Sequence, residues 1–82
     1  MAVAALVAGY PGDDAWTRFA RAWDARGETV DAVAHAILGD ASERWMRTSV
    51  PALEGRTPLD VLEAEREGER AIRSLVMRLP FP

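Results

Sequence analysis

With 82 residues and no cysteine, the chain has room for one domain at most and holds it without disulfides, thiolate metal ligands or a nucleophilic thiol. Ten basic residues against thirteen acids leave a net charge of −3, the opposite balance from that of a chain that binds nucleic acid by neutralising phosphates. Every basic residue is arginine, which with the abundance of alanine reflects codon bias of a GC-rich genome more than a choice of side chain, and the cysteine-free composition fits the cytoplasm.

The opening MAVAALVAG is apolar for about nine residues, well short of the roughly 20 that span a bilayer, and it lacks the positive flank of a secretory signal. Residues 1–12 are therefore expected to form an arm or short helix that packs on the body or on a second copy. Pro11-Gly12 marks a turn, with Asp13 as the expected cap of a helix from Asp13 to about Arg26. Its apolar residues Trp16, Phe19, Ala20 and Trp23 recur at helical spacing. Gly27 is the expected stop and Thr29 the next cap, ahead of a second stripe of Val30, Val33, Ala34, Ile37 and Leu38. His35 sits beside that stripe. As the only histidine in a chain without cysteine it would need carboxylates alone as co-ligands, so it is read as a surface or core-edge residue.

Gly39 ends that helix, and Asp40 and Glu43 stand at capping-box spacing ahead of Trp45 and Met46. Pro51 and Gly55 then break the chain before Thr57-Pro58-Leu59-Asp60, which combines an N-cap, a proline where no N–H is needed and an acid at the positive helix end. The stretch 45–62 thus reads as a helix–loop–helix joint. Gly68 interrupts the pattern after a run of alternating acids and arginine that is expected to be a solvated helical segment. A last helix then carries Ala71, Ile72, Leu75, Val76 and Leu79 on one face, and Pro80-Phe81-Pro82 must be extended. No stretch alternates with the period of a strand. The expectation is an all-α, single-domain bundle of about five short helices, with the helical domain over 13–82.

Trp23 and Trp45 are expected in the core, and Trp16, near a helix start, is expected to be partly exposed to a partner. Ser42, Ser49 and Ser74 carry no triad signature and the glycines form no phosphate loop. No catalytic, cofactor-binding or metal-ligating residues are expected, and hence no enzyme.

The stretch DAVAHAILGDASERWMRTSVPALEGRTPLDVLEAEREGERAIRSLVMRL, about residues 31–79, resembles the toxin-binding domain of the MbcA/ParS/Xre antitoxins. Trp45, Met46, Thr48, Pro51, Ala52, Leu53, Gly55, Thr57, Pro58, Leu59, Asp60 and Leu62 stand in the order of that family's central motif. The resemblance implies an antitoxin whose partner is a RES-domain toxin, an enzyme that consumes NAD, with the antitoxin's C-terminal segment reaching into the toxin's active-site cleft. The implied toxin-binding residues are Arg73, Met77, Arg78, Leu79, Pro80 and Phe81. Two departures stand out: the first forty or so residues supply only two clear helices and a short arm where relatives carry a helix-turn-helix, and the tail reads LPFP in place of an aromatic-glycine stretch. A small DNA-associated regulator, dimeric as a homodimer, and an orphan structural domain are the alternative readings.

Overall fold

The computed structural model of the protein describes residues 2–79. Six α-helices and one 3-10 turn follow in order: α1 (Ala2–Ala8), α2 (Asp13–Ala22), α3 (Val30–Leu38), α4 (Ala41–Met46), the turn Pro51–Leu53, α5 (Pro58–Ala64) and α6 (Gly68–Val76). No strand occurs among the described residues, as the periodicities predict.

α6 is the hub. It packs against α1, α5 and α3, and buries Ala71, Ile72, Ser74, Leu75 and Val76. Around it gather Val3 and Leu6 of α1, Trp16 and Ala20 of α2, Val30 and Val33 of α3, Met46 of α4, Leu53 of the turn and Val61 of α5. Each fully buried aliphatic side chain of this set contributes about 1.5–3 kcal/mol, so no single helix is stable apart from the others.

Two expected caps form. Thr29 accepts from the Ala32 N–H at 3.1 Å, and Thr57 accepts from the Asp60 N–H at 3.0 Å. Two do not. Gly12, not Asp13, occupies the N-cap of α2, and Asp13 lies in the first turn, where it accepts the Tyr10 hydroxyl. Asp40 has right-handed helical backbone and makes no side-chain cap bond, because the chain already turns at Gly39, whose carbonyl accepts from the Ser42 N–H.

α2 also ends at Ala22, short of the expected Arg26. Asp24 takes the left-handed conformation (φ 57°), the Ala25 N–H returns to the Ala20 carbonyl, and the Asp24 N–H returns to that of Arg21. This is a Schellman ending with aspartate in the place usually held by glycine. α6 stops at Val76, but the Arg78 and Leu79 amides still bond to the Leu75 and Val76 carbonyls in a tighter last turn.

The tryptophan assignment is reversed. Trp16 is 1 % exposed, while Trp23 and Trp45 are only half-buried. Trp16 is covered by α6 and by the chain before α3, where its indole N–H donates to the Glu28 carbonyl at 2.7 Å. The acidic run is not one helix either. Glu65 is extended, and α6 restarts at Gly68, whose α-carbon lies so close to the Val61 carbonyl that a β-carbon has no place there.

Candidate functional site

The joint between α4 and α5 is a loop closed on itself. The Val50 N–H donates to the Arg56 carbonyl, and the Leu53 and Gly55 N–H groups both return to the carbonyl of Val50. Thr48 donates its hydroxyl to the Arg44 carbonyl at 2.7 Å and so finishes α4. Pro51 opens the 3-10 turn, Leu53 is fully buried beneath it, and Gly55 adopts φ 85°, a conformation that favours glycine. Thr57 caps α5, Pro58 is buried at its first position, and Trp45 and Leu62 are half-buried against the core. All eight of these motif residues belong to one structural joint. Arg56 braces it with 2.9 Å ion pairs to Asp60 and to Glu65.

The last helix presents a second cluster. Arg73 sets its guanidinium 5.0 Å from the Trp16 ring centroid, bonds Glu69 at 2.9 Å and Tyr10 Oη at 3.1 Å, and approaches Asp13 at 3.4 Å. Tyr10 in turn donates to Asp13 at 2.7 Å. The Arg73 side chain is only 18 % exposed; both terminal nitrogens are engaged within the fold, while its Nε is buried without a hydrogen-bond partner. Burial pushes the Tyr10 phenol above its ordinary pKa, and the hydrogen bond from Arg73 opposes that shift.

Beyond Val76 the chain emerges at the surface. Met77 and Leu79 are half-buried against the core, and Arg78 is exposed. The Arg78 guanidinium lies against Gly9, where a β-carbon would come within 2.7 Å of Nη2. Pro80 and Phe81 lie outside the described residues. The structure thus brings Met77, Arg78 and Leu79 together at one end of α6 and sets Arg73 on its inner side. That Tyr10, Asp13 and Trp16 meet at Arg73 had no local signal in the sequence, because their shared partner stands far along the chain.

A cleft of 390 Å³ opens between α3, α4 and α5, with Ala34, Met46 and Leu59 lining it beside Asp31, His35 and Glu43. His35 is exposed, and its Nδ1 is 3.5 Å from the Ser42 hydroxyl, too long and too wet for an activated nucleophile. Among the described residues no group of three or more His, Cys, Asp or Glu side chains is placed to hold a metal ion, and no helix is long and apolar enough to cross a membrane.

The profile of the antitoxin Xre/MbcA/ParS C-terminal toxin-binding domain matches residues 33–80, more than half of the chain, from within α3 to just past α6. The chain belongs to this family of antitoxin toxin-binding domains. No curated protein and no solved structure gave a match.

Proposed function

We propose that the protein neutralises a RES-type, NAD-consuming toxin in the cytoplasm by docking the end of α6 and its tail, Met77 to Phe81, into the toxin's active-site cleft, acting as a binding module and not as an enzyme. The observation that carries this reading is that the family match runs through α6 to residue 80, so the matched domain includes the point where the chain leaves its last helix. Arg78, exposed at that point, offers paired donors to carboxylates or to the phosphate-binding positions of a nucleotide site. Pro80 and Pro82 restrict the tail before binding, and Phe81 supplies an aromatic anchor, so insertion costs little ordering entropy. Arg73, engaged by Tyr10, Asp13 and Glu69, supports this end from within.

The test is co-expression with the toxin encoded beside the gene, comparing the full chain with a version ending at Met77 and with Arg78→Ala. Loss of complex formation and of protection against NAD consumption is expected for the truncation, with a weaker complex for Arg78→Ala. Undiminished binding and inhibition by the truncated chain would remove the tail from the mechanism, and a full chain that binds no toxin would remove the reading itself.

A further inference from the structure

We infer that α3 is the crest of a protein-docking surface, with Asp31 standing between two apolar-floored clefts, and that the segment it takes is an extended one whose alternate side chains read apolar, basic, apolar. No residue of α6 lines either cleft, so the surface is separate from the end of the chain proposed above to enter the toxin.

The two clefts follow from the way α3 turns. At about 100° per residue, Asp31 and His35 share one line along the helix, with Ala34 on one flank and Ala32 and Ala36 on the other. On the side of Ala34 the cleft of 390 Å³ is floored by Met46 and Leu59. On the opposite side a larger cleft of 610 Å³ opens against the end of α2, bordered by Ala25 and the half-buried ring of Trp23. Asp31 and His35 line both. Trp23 follows the last residue of α2, and its place in this cleft gives a use to a large ring that the core does not take up.

Charge decides what can lie across the crest. Each cleft has one acid and one base of its own, Asp24 with Arg26 in the larger and Glu43 with Arg47 in the smaller. These offset one another, and Asp31 is left as the uncompensated charge. Its carboxylate is exposed and makes no hydrogen bond or ion pair among the described residues. His35, beside it, adds a charge only when protonated and reaches only the Ser42 hydroxyl, at 3.5 Å. An arginine or lysine of the partner is therefore attracted at the crest, and an acid is repelled. The floors set the rest. A helix is about 10–12 Å across, and residues i and i+4 of an extended segment lie about 13 Å apart on one face, so apolar side chains on either side of the basic one reach down both flanks together. Tryptophan at the edge of one flank is the residue type on which such contacts most depend. A carboxylate in the first turn also suits the positive end of α3, but that acts on stability and gives no preference between partners.

The experiment titrates the full chain with two capped pentapeptides, Leu-Ser-Arg-Ser-Leu and Leu-Ser-Glu-Ser-Leu, following the backbone amides and the Trp23 indole N–H by NMR. The arginine peptide is expected to bind in the millimolar range and to shift Trp23, Ala32, Ala36 and Met46 together, with the glutamate peptide about tenfold weaker. Asp31→Asn should weaken the arginine peptide about threefold and leave the glutamate peptide no weaker. Because Asp31 is exposed the variant keeps its fold, which an unchanged spectrum away from α3 verifies. Equal affinity for the two peptides, shifts confined to one cleft or scattered over the surface, or no response to about 10 mM peptide overturns the inference. So does an arginine preference that Asp31→Asn leaves undiminished. Shifts of the same signals that grow with protein concentration alone overturn it too, since they give the surface to a second copy of the chain.

Discussion

The guanidinium of Arg73 stands 5.0 Å from the ring centroid of Trp16, and this contact joins the last helix to the second across most of the chain's length. Trp16 is 1 % exposed and satisfies its N–H at Glu28, so the cation lies over a ring already fixed in place. Replacing Arg73 by Met keeps much of the apolar stem and removes the charge and its donors. The expected loss is about 1–3 kcal/mol, since a desolvated cation–π contact and a charge-assisted hydrogen bond each contribute on the order of 1–2 kcal/mol. Trp16→Ala should cost about 3–5 kcal/mol. Urea unfolding midpoints measure both, and an Arg73→Met midpoint equal to that of the parent would show the contact to be incidental.

The two side-chain caps should behave as independent terms. Thr29→Ala and Thr57→Ala are each expected to cost about 1 kcal/mol, within a range of about 0.5–2, and the double variant to lose the sum. Asp40→Ala should change stability by less than about 0.5 kcal/mol, because that carboxylate makes no cap bond. A large loss at Asp40 would mean that the capping box forms in solution.

Gly68 is required by proximity and not by an unusual backbone angle. Adding one methyl there drives it into the Val61 carbonyl and the Leu62 α-carbon, so α5 and α6 must move apart. Gly68→Ala should destabilise by about 1–3 kcal/mol despite the better helix propensity of alanine. Thermal unfolding followed by circular dichroism gives the sign directly, and a stabilised variant would contradict the packing.

The single tyrosine permits a clean titration. The folded state holds the Tyr10 proton above its ordinary pKa of 10.0. Above that pH the unfolded chain has lost a proton that the folded chain retains, so stability is full below pH 10 and declines as pH rises through the folded pKa. Tyr10→Phe should flatten this alkaline limb. Phenolate absorbance checks the shift itself, and a midpoint at or below the free value would refute it.

The joint was legible in the sequence because its devices are local. Thr57, Pro58 and Gly55 act within a few residues of themselves, through a cap bond, a missing N–H and a positive φ, and each occupies the expected place. The stripes on α3 and α6 were legible for the same reason. What failed depended on distant partners or on the conformation of one residue. Trp16 belonged to a visible stripe, yet its burial comes from Arg73 and Glu28, which no spacing within α2 reveals. The early stop of α2 turns on Asp24 entering the left-handed region, which aspartate does only when the following amides find carbonyls to close upon. At the C-terminal site, sequence placed Arg73 and Arg78 together on the last helix. It did not separate the arginine turned inward to Trp16 from the one lying at the surface beside Gly9.

Arg56 reaches both Asp60, in the first turn of α5, and Glu65, just past its end. One guanidinium touching both ends of a helix is a gauge of that helix's length. An added or deleted residue between 60 and 65 would swing Glu65 by about 100° around the axis and carry Gly68 away from the Val61 carbonyl. α5 therefore tolerates substitution far better than insertion. Chains that share this joint should vary in length elsewhere, as in the exposed turn at Arg26 and Gly27, where an extra residue disturbs neither measurement.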